Sequence, residues 1–151
     1  MRENVRSKGR FYTGMATEAD GWTEAGGPIV ARAARFLSEA TIAAFRAKLT
    51  HQQHAIFEFA TAMTEVETAV ALARAATKSG DALMLAQARV WSSDVALSVP
   101  ARLLKVIAQA GTIEAAEFAR LAELGSLAQA IGDQAGRMAD MDFIAKTITA
   151  K

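Results

Sequence analysis

The chain contains no cysteine, only two prolines among 151 residues, and 7% aromatic residues. The missing cysteine excludes disulfide scaffolds, Fe–S centres and thiolate zinc sites. It also leaves the redox compartment unread. No run of about 18 apolar residues is present, so no segment is suited to span a bilayer. Neither charge sign dominates. Seventeen basic and sixteen acidic residues leave a net charge of +1, which gives no general attraction to nucleic acid or anionic membrane. The opening MRENVRSKGR is basic but runs into FYTGMATEADGW, which is polar and broken by glycine, unlike a signal-peptide core. Cytoplasm is the expected location.

What is abundant is alanine, 35 residues of 151. Alanine has the highest helix propensity, and strands favour the β-branched and aromatic types. The expected class is therefore all-α, with amphipathic helices forming a helical bundle or a coiled-coil-like assembly. Residues 1–27 read as a flexible, basic, glycine-rich N-terminal arm. Arg2, Arg6, Lys8 and Arg10 stand against Glu3, and Gly9, Gly14, Gly21, Gly26 and Gly27 interrupt it. Residues 28–151 read as a single helical domain.

Pro28 suits the first turn of a helix over 28–49, whose seam is Ile29, Ala33, Phe36, Ala40, Ala43 and Ala47. A second helix over 51–77 is capped by Thr50, with the seam Ile56, Phe59, Met63, Val66, Val70 and Ala73 at 3-4-3-4-3 spacing. The two could equally run on as one, since no Gly or Pro separates them. Lys78-Ser79-Gly80-Asp81 stops the second and caps a third over 81–110, facing inward through Leu83, Ala86, Val90 and Leu97, widened by Trp91, Val95 and Val99, bent at Pro100 and resuming through Leu103, Leu104, Ile107 and Ala110. After Gly111, a fourth helix over 113–146 with Thr112 as cap carries Leu121, Leu124, Ala128, Ile131, Ala135 and Met138. Gly125, Gly132 and Gly136 weaken it. Seams built mostly of alanine bury little area per turn, so a homo-oligomer is expected.

Chemistry-bearing motifs are missing. His51 and His54 lie three apart, with Glu58 four beyond, but a metal would need ligands from another helix. No phosphate-binding glycine loop and no Ser–His–Asp arrangement is found. Glu65 and Glu67, two apart, face different ways on a helix. No catalytic, cofactor-binding or metal-binding residue is assigned, and the chain is read as no enzyme. Trp91 reads as a core or boundary residue.

The stretch LARAATKSGDALMLAQARVWSSDVALSVPARLLKVIAQA, residues 72–110, resembles the phasins, bacterial proteins that coat polyhydroxyalkanoate granules. It has a helix, the break Lys78–Asp81, and the start Leu83-Met84-Leu85-Ala86-Gln87. EAAEFARLAELGSLAQAIG, residues 114–132, looks like an Ala- and Glu-rich closing helix of phasin-like proteins. Pro100 and the late glycines depart from that arrangement. The resemblance implies a non-catalytic, granule-associated protein that adsorbs to the polyester surface through an apolar helix face and keeps granules apart with its polar face. The face expected to bind is Ile56, Phe59, Met63, Val66 and Val70, the seam with the largest side chains, with Glu58 and Glu65 on the hydrated side. The alternative is a helical scaffold or adaptor acting through helix–helix contacts. A DNA-binding reading of residues 112–136 conflicts with six acids against two bases over 112–142.

Overall fold

In the computed structural model, which describes the backbone of residues 2–150 and the side chains of residues 9–150, every regular element is helical. α1 spans Arg2–Ala19, α2 Gly27–Arg46, α3 Gln53–Ser79, α4 Ala82–Ala110, α5 Ala115–Leu124, α6 Leu127–Gly132 and α7 Arg137–Thr149. Short 3-10 turns lie at Thr23–Ala25 and Leu49–His51. The all-α class read from composition and periodicity is what forms.

The expected flexible arm over 1–27 is corrected. Its described part is mostly helix α1, packed along α2. Tyr12, Ala16 and Ala19, spaced four and three apart, are buried. Gly9 is the reason the approach can be close: a Cβ there would sit 3.0 Å from Ile42 Cδ1, and the Gly9 carbonyl accepts from Ser38 Oγ at 3.0 Å. Polar ties finish the docking. Tyr12 Oη donates to Glu67 Oε1 at 2.8 Å, Arg74 pairs with Glu18 at 2.7 Å, and Arg35 pairs with Asp20. The side chains of Arg2, Arg6 and Lys8 lie outside the described ones.

α1 changes the energetics of α2. Of the expected seam, Ala33, Phe36, Ala40 and Ala43 are buried and Ile29 and Ala47 half-buried, and Val30, Ala34, Leu37 and Ala44 around the helix are buried as well. Small residues let backbones approach closely, so an alanine seam is covered within the chain itself. α2 and α3 are separate helices. Lys48 takes a left-handed conformation (φ 59°), and the 3-10 turn that follows buries Leu49. Gln52, not Thr50, occupies the N-cap of α3, and its side chain makes no capping bond.

The stop at Gly80 and the Asp81 cap form as expected, with Asp81 Oδ1 accepting from the Met84 N–H at 2.8 Å. α4 continues through Pro100, whose buried ring packs under Gly125. α4 is the central element, packed against α2, α3, α5, α6 and α7. Of its expected face Ala86, Val95, Val99, Leu103 and Ile107 are buried, Ala88 and Ser92 are buried beside them, and Leu83, Val90 and Leu97 are only half-buried.

The single closing helix expected over 113–146 is instead three. α5 starts after Glu114 rather than at a Thr112 cap. It stops at Gly125, where a Cβ would meet Phe36 Cε2 at 2.8 Å and Pro100 Cβ at 3.0 Å. Ser126 Oγ then caps α6 by accepting from the Gln129 N–H at 3.3 Å. A turn over 133–136 ends in Gly136 (φ 84°), a left-handed conformation that L side chains rarely adopt.

Candidate functional site: an outward apolar seam

The face expected to bind, on α3, is corrected first. Phe59 is 8% exposed, Val66 and Val70 are sealed in the core, and Met63 is half-buried against it. Ile56, at 48%, is the most exposed of the five. The cause is energetic: burying a large aliphatic or aromatic side chain contributes about 1.5–3 kcal/mol, so the strongest seam is drawn into the α3–α4 contact. The hydrated side is also altered. Glu58 and Glu65 both pair with Arg102 of α4, at 3.5 and 2.8 Å, along the edge of that contact.

The apolar surface lies elsewhere. Of eleven large hydrophobic residues exposed to solvent among the described residues, seven lie from residue 124 onward: Leu124, Leu127, Ile131, Met138, Met141, Phe143 and Ile148. Sequence periodicity marks much of this stretch as a seam. Leu121 alone of that seam is buried, whereas Leu124, Ala128, Ile131, Ala135 and Met138 are exposed, Ile131 at 62% and Met138 at 68%. The spacing continues on α7 as Met138, Met141, Ala145 and Ile148, all exposed. Breaks at Gly125 and 133–136 spread these residues over three short elements.

Their exposure follows from how the C-terminal elements are held. No residue beyond Leu121 joins either apolar core cluster, and α7 buries no residue. Arginine–aspartate pairs do the holding. Arg137 donates from Nε and Nη2 to the two carboxylate oxygens of Asp94, each at 2.9 Å. Arg89 donates from Nε and Nη2 to Asp140, at 2.9 and 2.5 Å, and from Nη1 to the Glu24 carbonyl at 2.8 Å. Arg32 of α2 pairs with Asp133 in the turn, and Gln134 Nε2 donates to the Ser93 carbonyl at 2.8 Å. The Asp140 hydrogen bonds hold the Arg89 guanidinium pKa above its ordinary value, against partial burial, and Asp94 does the same for Arg137. Arg32 is shifted the other way, by desolvation and then by the neighbouring charge of Arg35.

The remaining features offer little chemistry. An open groove of about 400 Å³ is lined by Arg32, Arg35, Arg120, Glu123, Leu124 and Gln129. Its arginines are already engaged, Arg120 with Glu39 and Glu117, and Arg35 with Asp20. His51 and His54 are exposed on the surface, and among the described residues no group of three His, Asp or Glu is placed to hold a metal. Trp91 sits at the boundary, 38% exposed. Among the described residues, no helix is long and apolar enough to cross a membrane.

Comparison of the chain with family models, curated proteins and solved structures returned no match.

Proposed function

We propose that this is a non-catalytic helical protein that adsorbs to an apolar surface through its C-terminal elements, and that the surface is a polyhydroxyalkanoate granule in the cytoplasm. The observation that carries the reading is the outward seam of Leu124, Leu127, Ile131, Met138 and Met141, none of which joins a core cluster. A polyester presents methyl groups and ester carbonyls, which Leu, Ile, Met and Phe suit. Exposed charged groups elsewhere on the bundle would remain hydrated. Adsorption would follow summed apolar area rather than a pocket.

A second reading is favoured by the 3-4-3 spacing of the exposed residues, which is the pattern of a helix seeking a helix. In that case the protein is a scaffold or adaptor, with a second copy of the chain or another helical protein on the seam.

Co-sedimentation with polyhydroxybutyrate particles separates them. Binding to particles by the wild type, lost in an Ile131→Asp, Met138→Asp variant of unchanged helicity, supports the granule reading. Failure to bind particles, together with concentration-dependent self-association that the same variant abolishes, supports the second.

A further inference from the structure

Two kinds of attachment divide the chain near Gly125. Up to that residue, helices are joined by buried apolar side chains, and Gly125 itself is pressed against Phe36 and Pro100. Beyond it, α7 meets α4 through ionic clasps of opposite polarity: Arg89 of α4 to Asp140 of α7, and Arg137 of α7 to Asp94 of α4. The pairing of 89 with 140 and of 94 with 137 makes the two helices antiparallel. Arg137, Asp140, Ile144 and Thr147 form the inward line of α7, all half-buried. Only one of these four is a large apolar residue. The connection to α6 passes through Gly132 and Gly136, and a Cβ at either would meet nothing within 4 Å.

We infer that α7 is a detachable strap, clasped to α4 by the Arg89–Asp140 and Arg137–Asp94 pairs and hinged over 132–136. Partly exposed ion pairs are weakened by salt, whereas buried apolar contacts are not. The strap therefore opens under conditions that leave the rest of the bundle closed. Once free, α7 offers Met138, Met141, Phe143, Ile144 and Ile148 on several sides, and a helix apolar on several sides is stable only against an apolar partner. Use of the opened strap in adsorption rests on the granule reading, but the strap itself does not.

Hydrogen exchange on the full chain, without particles, tests it. A 13-residue helix off its support is marginal in water, so release is read as faster exchange of amides 138–149. Raising NaCl from roughly 20 mM to roughly 500 mM should speed that exchange about tenfold and leave amides 95–103 of α4 unchanged. The Arg89→Ala, Arg137→Ala variant should exchange fast in α7 already at low salt, with the salt dependence gone. Reversing one clasp, Asp94→Arg with Arg137→Asp, should restore slow exchange relative to Arg137→Asp alone. Exchange in α7 that ignores salt and the double variant, or a reversed clasp that performs no better than the single change, overturns the strap. Adding polyester particles is a separate arm. Salt-gated exchange in a protein that never binds particles upholds the strap and refutes the granule reading.

Discussion

Arg137 on α7 and Asp94 on α4 meet side-on, two nitrogens to two oxygens at 2.9 Å each, so α7 is placed by charge. Phe59 and Val66 place α3 by burial. The contrast decides where apolar side chains remain available. A helix held through its apolar seam has that seam covered, and a helix held through ion pairs keeps its seam free.

Substitutions on the two seams should therefore separate cleanly. Val66→Ala, in the sealed core, should cost about 1–3 kcal/mol in urea denaturation, from lost transfer energy and the cavity left behind. Ile131→Ala, on the surface, should stay within about 0.5 kcal/mol. Equal costs would mean that the C-terminal seam is buried in solution.

Tyr12 links α1 to α3 and makes the docking of α1 measurable. Burial first, then the hydrogen bond to Glu67 and the charge of that carboxylate, push its phenol well above the ordinary range. The folded state thus holds the phenolic proton after the unfolded chain has lost it at about pH 10, so stability falls as pH rises above that point. Tyr12→Phe should cost about 1 kcal/mol at neutral pH. It should also flatten the alkaline loss of Tm. An identical alkaline profile in wild type and variant would place Tyr12 in solvent and α1 off the bundle.

Two glycines in the C-terminal region should respond oppositely to alanine. At Gly125 the added methyl collides with Phe36 and Pro100, and overpacking of this kind costs about 1–3 kcal/mol. At Gly132, the last residue of α6, the methyl meets nothing within 4 Å, so the change should be neutral or raise stability by up to about 1 kcal/mol. Thermal melts of the two variants check this. A tolerated Gly125→Ala would contradict the anchor on which the division at that residue depends.

Much of the fold is legible in the sequence because it follows from local signals. Gly80 and Asp81 end one helix and cap the next, Gly111 ends α4, and most of the α2 and α3 seam residues are buried. The misreadings share a cause, in that the same residue type serves opposite ends. Glycine at position 9 reads as looseness, yet it permits the close packing of α1. The α3 seam reads as a binding face because an apolar stripe serves a core or a surface equally well. The Leu124–Met138 seam is visible as periodicity. Its exposure depends on arginines 32 and 89, far off in sequence, reaching Asp133 and Asp140.

Oxidation footprinting of methionines on polyester particles tests the account most directly, because Met138 and Met141 lie on the seam while Met63 is packed against the core. In free protein, dilute peroxide should convert Met138 faster than Met141 and Met63. On particles, Met138 and Met141 should be protected about tenfold or more, as expected when a thioether leaves water for an apolar contact, with Met63 slow in both states. Oxidation of Met138 and Met141 at the same rate on particles as in solution would contradict adsorption through the C-terminal seam.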